Sequence, residues 1–393
     1  MSYWVILGCG YIGTHLAKAL LARGEGVLAC ARNKEHLAEL EAAGADTYQF
    51  EATRRHAFHY AMGNARLPIV VYCLPPYPNL PGGELLSRAA AESLAVGAQR
   101  FVYLSSTAVY GEGRDGEIVD EDSPLSTALD DPDARPYISA EGAIEDARTK
   151  GLDALILRLS PVYGPGRGVR KRMLAGTYKL LDEGTHVYSR VHVDDVVDII
   201  LATVERAPIN ATYCIADDRP CPQREYTEWL ARHLGLRTPA SVPSLASGMP
   251  RRRIRNRAVS NAKIKKELDY SFKYPTYREG ETAIDRALGE ERKDPGPPPL
   301  VVHRKDARDA IAKTTGFRRL NLRHETLEKG KQSRLVSQGE TMVYVLSGAV
   351  ELDNSGDKLR LQAGDMVEVP AVGLPLQCAD DKPAELLIVN TRL

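Results

Sequence analysis

The stretch Val5-Ile6-Leu7-Gly8-Cys9-Gly10-Tyr11-Ile12-Gly13 constrains this chain more than any other: a short apolar run feeds a GxGxxG turn, and an amphipathic run from Thr14 to Leu21 follows. The apolar run bounded by glycine reads as a buried strand, and the run after it as a helix. Strand, glycine turn and helix in that order suit a dinucleotide pyrophosphate. Gly8 permits the bend, Gly10 lets the backbone approach the phosphates, Gly13 lets helix and strand pack closely, and the helix N-terminus faces the anion. Glycine turns also end strands for steric reasons alone, so it is the flanking elements that point to a cofactor loop made of Gly8, Gly10, Tyr11, Ile12 and Gly13.

Gly26 to Cys30 reads as a second buried strand, whose end is where the cofactor's ribose is sensed. No acidic residue stands there. Ala31-Arg32-Asn33 instead offers a guanidinium suited to a 2′-phosphate, so NADP is expected with NAD as the alternative, unless Arg32 is a solvated loop charge. Strands at 68–73 and 100–106, separated by a helical stretch from Glu84 to Ala98, imply an α/β fold with a doubly wound parallel sheet of Rossmann type. Leu74-Pro75-Pro76-Tyr77-Pro78 cannot continue a strand. It becomes a loop beyond a strand's carboxyl end, placing Leu74 and Pro75 beside the cofactor.

At 393 residues the chain has room for two or three domains. Its formal net charge is zero, which argues against a whole-chain electrostatic partner such as nucleic acid or an anionic membrane. No run approaches a membrane span, and the first strand starts too early for a cleavable signal segment, so a cytoplasmic enzyme is the expectation. The six cysteines are scattered, as befits reduced packing residues.

Ser105-Ser106-Thr107-Ala108-Val109-Tyr110-Gly111, Leu157-Arg158-Leu159-Ser160-Pro161-Val162-Tyr163-Gly164-Pro165-Gly166-Arg167 and Arg190-Val191-His192-Val193-Asp194-Asp195 resemble, in order, signature segments of the extended short-chain dehydrogenases/reductases, the NAD-dependent epimerase/dehydratase family. The resemblance runs from Ser2 to about Arg292 and is most similar to the atypical branch carrying GxGxxG. It implies a domain over 1–293, with the cofactor part mainly in 1–165 and a small substrate lobe mainly in 166–293.

The resemblance further implies hydride transfer at the nicotinamide, with a tyrosine exchanging the hydroxyl proton, a lysine four residues on lowering its pKa, and a Ser or Thr orienting the oxygen. These roles fall on Ser106, with Thr107 as close alternative, and on Tyr137; Ser105 falls on the cofactor side. Position 141, however, is glutamate. A carboxylate near Tyr137 disfavours the phenolate and raises its pKa. Three outcomes follow: Arg135 substitutes as the cation, Tyr137 works as a neutral donor, or the site binds cofactor without turnover and the protein is an NADP(H)-binding sensor or scaffold.

Arg158, Arg167, Arg190 and His192 lie in segments that border the substrate cleft in the family; salt bridges and capping are the structural reading for at least half of them. Asp194 and Asp195 precede an apolar run and read as helix caps. The run from Arg251 to Arg257 with Lys263, Lys265 and Lys266 carries eight cations and no acid. It is either a solvated face, a nucleic-acid patch lacking interleaved aromatics, or a set of contacts to substrate phosphates. The family pattern continues through Arg257, which with Arg167, Arg190 and His192 completes the expected substrate contacts. A phosphorylated or nucleotide-linked sugar-like substrate follows.

Residues 294–299, Asp-Pro-Gly-Pro-Pro-Pro, read as a semi-rigid linker. Beyond it, short alternating runs punctuated by turn residues give an all-β sandwich or barrel over 300–393. The segments from Gly330 to Gly348 and from Ala363 to Pro375 resemble the two motifs of a cupin, a jelly-roll domain. Its usual metal ligands would fall on Val336, Gln338, Thr341 or Met342, and Leu376, and aliphatic side chains offer no lone pair, so no metal is expected. Cupins commonly dimerise, which makes a homodimer the expected assembly. A similar fusion in bacterial capsule nucleotide-sugar biosynthesis supports the substrate class by analogy.

Overall fold

The computed structural model describes residues 2–63, 65–77, 80, 83–113, 116–127, 131, 133–243, 255–290, 292, 301–303, 320–334, 341–354, 357–369 and 375–391. The proline segment 294–299, Arg251 to Arg253 of the basic run, and Val336, Gln338 and Glu340 lie outside the described residues. The chain falls into two units, Met1–Asp294 and Pro295–Leu393.

In the first unit β1 (Tyr3–Leu7), β2 (Gly26–Ala31), β3 (Asp46–Gln49), β4 (Ile69–Tyr72) and β5 (Arg100–Ser106) are joined in turn through α1 (Tyr11–Ala22), α2 (Lys34–Ala42), α3 (Ala57–Met62) and α4 (Glu84–Ala95). After the short strand β6 (Glu117–Val119) come α5 (Arg135–Thr149) and β7 (Ala154–Leu159). The main sheet has seven strands, in the order Thr212–Ile215, β7, β5, β4, β1, β2, β3. All its pairs are parallel. Both faces are covered, which is why its central strands read as continuous apolar runs rather than alternating ones. The edge strand Thr212–Ile215 comes from residues that the resemblance placed in the substrate lobe.

Strand order reverses between β1 and β4, which both pair with no strand between them, and the crevice at such a switch point is where ligands bind in open α/β sheets. The fourth helix ends at Ala95, three residues short of the expected Ala98, where Val96 closes the turn and Gly97 takes φ 67°. A second small pairing brings β6 against Arg257–Val259 in parallel register. That pairing folds the distant basic segment back over the end of β5.

Asp194 and Asp195 do not cap the helix Val193–Arg206. His192 does: its Nδ1 accepts from Asp194 N at 3.2 Å. Asp195 instead accepts from Lys273 N, Tyr274 N and Tyr270 Oη, tying the helix to a later loop. Among the described residues no helix is long and apolar enough to cross a membrane.

The second unit consists of two antiparallel sheets, one of five strands and one of four. An apolar core including Val343, Val350, Leu361, Val367, Leu376 and Leu386 lies within this unit. Leu376 is fully buried in it, and Met342 packs with Met366 and Val389 in a smaller cluster.

Candidate functional site

The three glycines of the first turn divide the labour expected of them. Gly8 has φ 108°, a region that side chains avoid, and a Cβ there would meet Leu74 at 2.8 Å. A Cβ on Gly13 would stand 2.5 Å from Gly8 O, so helix and turn touch through that missing atom. A Cβ on Gly10 would meet nothing within 4 Å. Among the described residues nothing crowds position 10, which leaves its backbone open to approach.

That space is a cavity of about 540 Å³ at the switch point. The glycine turn, Cys73, Leu74 and Pro75 line one side, and Ser105, Ser106, Thr107 and Tyr137 another. Ser160, Pro161, Val162, Arg167, Tyr188, Ser189, Arg255 and Arg257 add to the wall, and among the described residues no Asp or Glu lines it. These residues fit a dinucleotide: an open cradle over Gly10, a helix N-terminus, and a wall of positive charge. Ser160 Oγ, buried without a partner, adds an uncommitted hydrogen-bonding group to that wall.

The three hydroxyls at the end of β5 are not equivalent. Ser105 Oγ donates to Glu141 Oε1 at 2.6 Å. Thr107 Oγ1 donates at 3.4 Å to Leu159 O, a long and weak bond. Ser106 Oγ accepts from Ala108 N at 3.1 Å, which leaves its proton available to a substrate oxygen. Tyr137, half-buried near the start of α5, makes no hydrogen bond among the described residues.

Glu141 does not act on Tyr137 as the sequence led one to expect. Arg158 of β7 clasps it, with Nε at 3.1 and 3.2 Å from the two carboxylate oxygens and Nη2 at 2.8 Å from Oε2. The Tyr137 phenol is indeed pushed above its ordinary value, but by burial first and by the charge of Asp133 second. Arg135 is exposed and does not line the cavity, so it is no substitute for the missing lysine.

The arginines separate by depth. Arg167 lines the cavity with its guanidinium 5.0 Å from the Tyr11 ring, and makes no ion pair among the described residues; Tyr11 Oη donates to Pro165 O. Arg255 faces Asp131 and Asp133 at 3.4 Å each. Arg257 is buried and donates to the carbonyls of Thr107 and Gly111, so it braces the loop after β5. Burial and neighbouring Arg255 bring its guanidinium down to about 10.

Three expected site residues do not line this cavity. Arg32 is exposed at the end of β2, its guanidinium 6.0 Å from the Tyr77 ring. Arg190 is buried against Tyr226 and Tyr277 and lines a second, smaller cavity. His192 is buried as a helix cap between Tyr163 and Tyr274. Conversely Ser160, Tyr188, Ser189 and Arg255 line the cavity without having been singled out as ligands. Only Arg255, inside the basic run, carried a sequence signal.

Burial lowers the His192 imidazole to about 4, from an ordinary 6.5. Between those values the unfolded chain binds a proton that the folded one refuses, so this residue's contribution to stability is present above about 6.5 and is lost as pH falls toward 4. Asp195 and Asp217, raised by burial to about 6 and about 7, run the opposite way: they favour folding at low pH and lose that contribution as pH rises through those values. A His192→Asn variant keeps a capping side chain without the titration. Its stability relative to the parent protein should rise by up to about 3 kcal/mol between neutral pH and about pH 4, read from denaturant melts at several pH values. A pH-independent difference would contradict the assignment.

A doubly wound parallel sheet with a glycine turn at its switch point, opening on a cavity with a serine and a tyrosine, defines a nucleotide-cofactor enzyme of the α/β class. Residues 4–216 match the NAD dependent epimerase/dehydratase family, and the chain belongs to it. A 3-diazoavenalumate denitrifying reductase from a Streptomyces species is 29% identical over 69% of this chain and 96% of its own length. A 4-hydroxy-2-methyl-3-oxo-4-farnesyl-3,4-dihydroquinoline-1-oxide ketoreductase from Stigmatella aurantiaca is 25% identical over 60% of this chain and 74% of its own. Among solved structures, a UDP-glucuronic acid 4-epimerase from Bacillus cereus in complex with NAD superposes with a TM-score of 0.60 over 73% of this chain and 99% of its own, at 17% identity.

Proposed function

We propose that this protein is an NADP(H)-dependent reductase of an anionic small molecule. The observation that carries this is the placement of Ser106 and Tyr137, both with uncommitted hydroxyl protons, in the cavity that the glycine turn opens on. A nicotinamide dinucleotide held by the glycine turn of Gly8, Gly10 and Gly13 would supply the hydride. Ser106 orients the substrate oxygen, and Tyr137 Oη donates its proton to that oxygen; solvent returns the proton to the phenol. Two relatives are reductases by name, which favours reduction over epimerisation. The solved sugar-nucleotide epimerase supports the fold alone.

Expectation of a phosphorylated or nucleotide-linked sugar rested on the arginines, and two of the three in the cavity are engaged by Asp131, Asp133 and backbone carbonyls. Arg167 is the one that leaves a guanidinium for an anion. The scaffold reading rested on Glu141, whose charge Arg158 now accounts for. For residues 300–393 we infer a metal-free cupin serving homodimer assembly; the two antiparallel sheets and the buried Leu376 at a ligand position support that reading.

Arg32 is proposed to select the 2′-phosphate. Calorimetric titration should show NADPH bound more tightly than NADH, and Arg32→Ala should weaken NADPH by about 10- to 100-fold with NADH little changed. Equal loss for both cofactors would sink the NADP assignment, and no dinucleotide binding at all would sink the enzyme reading.

A further inference from the structure

Behind the cofactor cavity lies a second chamber of about 230 Å³. Pro161, Val162, Tyr188 and Ser189 line both, so the two share a wall. Its volume falls below the range of about 300–1,000 Å³ typical of whole drug-sized ligand sites, so it suits one end of a molecule.

The chamber's chemistry is lopsided. Four tyrosine rings, Tyr163, Tyr178, Tyr188 and Tyr226, line it together with Arg172, Lys179 and Arg190, and among the described residues no acid does. Several of its polar groups are committed. Gln223 accepts from Leu181 N with Oε1 and donates to Tyr178 Oη with Nε2. Tyr226 Oη donates to Glu281 at 2.5 Å, and Ser189 Oγ accepts from Val259 N. Tyr163 Oη, set against Gly280, is the exception: it is buried with no hydrogen-bond partner among the described residues. A polyhydroxylated sugar needs a partner for each hydroxyl and would find few here. Arg190 sits over the Tyr226 ring and Arg172 over the Tyr178 ring, and a flat apolar group would lie against the ring surface that remains.

Arg190 supplies the second observation. It is only 6% exposed, stacks 4.3 Å from the Tyr226 ring centre, and the one side-chain hydrogen bond it makes among the described residues runs from Nη1 to Cys221 Sγ at 3.2 Å. The nearby Asp217 carboxylate influences it without a hydrogen bond. A buried guanidinium lacking a bonded anion is costly to keep, and its planar fork matches a carboxylate. Arg172 and Lys179, both exposed, add positive charge at the chamber's solvent side.

We infer that this chamber receives an aromatic carboxylate, with the ring among the tyrosines and the carboxylate on Arg190, while the reducible end of the same molecule reaches Ser106 and Tyr137. The inference rests on the reductase reading and specifies its substrate class as aromatic acids rather than nucleotide sugars.

The test uses the full-length protein, first titrated with NADPH and then, with NADPH bound, with trans-cinnamate, trans-cinnamamide, UDP-glucose and inorganic phosphate. Cinnamate should bind, the amide about tenfold or more weaker, and UDP-glucose and phosphate weaker than cinnamate. Arg190→Gln should abolish the preference for acid over amide while NADPH affinity stays within about twofold. Tryptophan fluorescence checks its folding, and Arg190→Lys, which keeps the charge without the fork, should give an intermediate preference. Equal binding of acid and amide to the parent protein, tighter binding of UDP-glucose or phosphate, or an unchanged preference in a folded Arg190→Gln would each overturn the inference. Those readouts require no variant to fold beyond the last. Loss of NADPH binding by the parent protein would instead defeat the reductase reading itself.

Discussion

Arg158→Met is expected to destabilise the first unit by about 3–5 kcal/mol, the range for breaking a buried ion pair by removing one partner. Glu141 is 4% and Arg158 7% exposed, so truncation leaves a carboxylate in the interior with only the Ser105 hydroxyl to satisfy it. The same change removes one bond of Tyr110, whose Oη accepts from Arg158 Nη1 at 2.8 Å and still donates to Asp120 O. A double variant, Arg158→Met with Glu141→Leu, should recover most of the loss, because the orphaned charge goes with its partner. Both tryptophans, Trp4 and Trp229, are buried in the first unit, so denaturation followed by tryptophan fluorescence reports this unit rather than the β-sheet unit. If the single and double variants were equally unstable, the cost would come from lost packing and not from an uncompensated carboxylate.

That pair also shows where sequence reasoning stops. The glycine turn was legible because each glycine answers to a local constraint: a positive φ at Gly8, an open approach at Gly10, a carbonyl in contact at Gly13. The parallel sheet was legible because burial on both faces writes itself as unbroken apolar runs in β1, β4 and β7. Glu141 and Arg158 lie on a helix and a strand, and no helical spacing rule couples them; only the packing of α5 on the sheet does. Arg190 read as a cleft residue because its segment borders the cleft in the family, but Tyr226 and Tyr277, which bury it, arrive from distant helices. Arg257 looked like a substrate contact within a basic run. Its strand pairs with β6, 140 residues earlier in sequence, and that register turns the guanidinium onto the carbonyls of Thr107 and Gly111.

Tyr137→Phe should lower kcat by about 10²- to 10⁴-fold, the usual range for removing a positioned acid, while NADPH affinity changes little. The phenol lines the cavity and has no hydrogen bond among the described residues whose loss would disturb the fold. The pH profile separates the mechanism from the familiar lysine-assisted one. A phenol needed as a base must ionise, and a cation beside it would bring that ionisation toward neutrality. Here burial and Asp133 push the Tyr137 hydroxyl above its ordinary 10.0, and the nearest carboxylate on its helix, Glu141, is held by Arg158. The phenol therefore stays protonated through the physiological range, and the rate of substrate reduction should be flat from about pH 6 to about pH 9, falling only as the tyrosine ionises above that. Oxidation in the reverse direction needs the phenolate and should climb with pH across the same interval. A reduction rate that rises or falls tenfold per pH unit near neutrality, and loses that dependence in Tyr137→Phe, would show that a cation absent from this arrangement tunes the tyrosine after all.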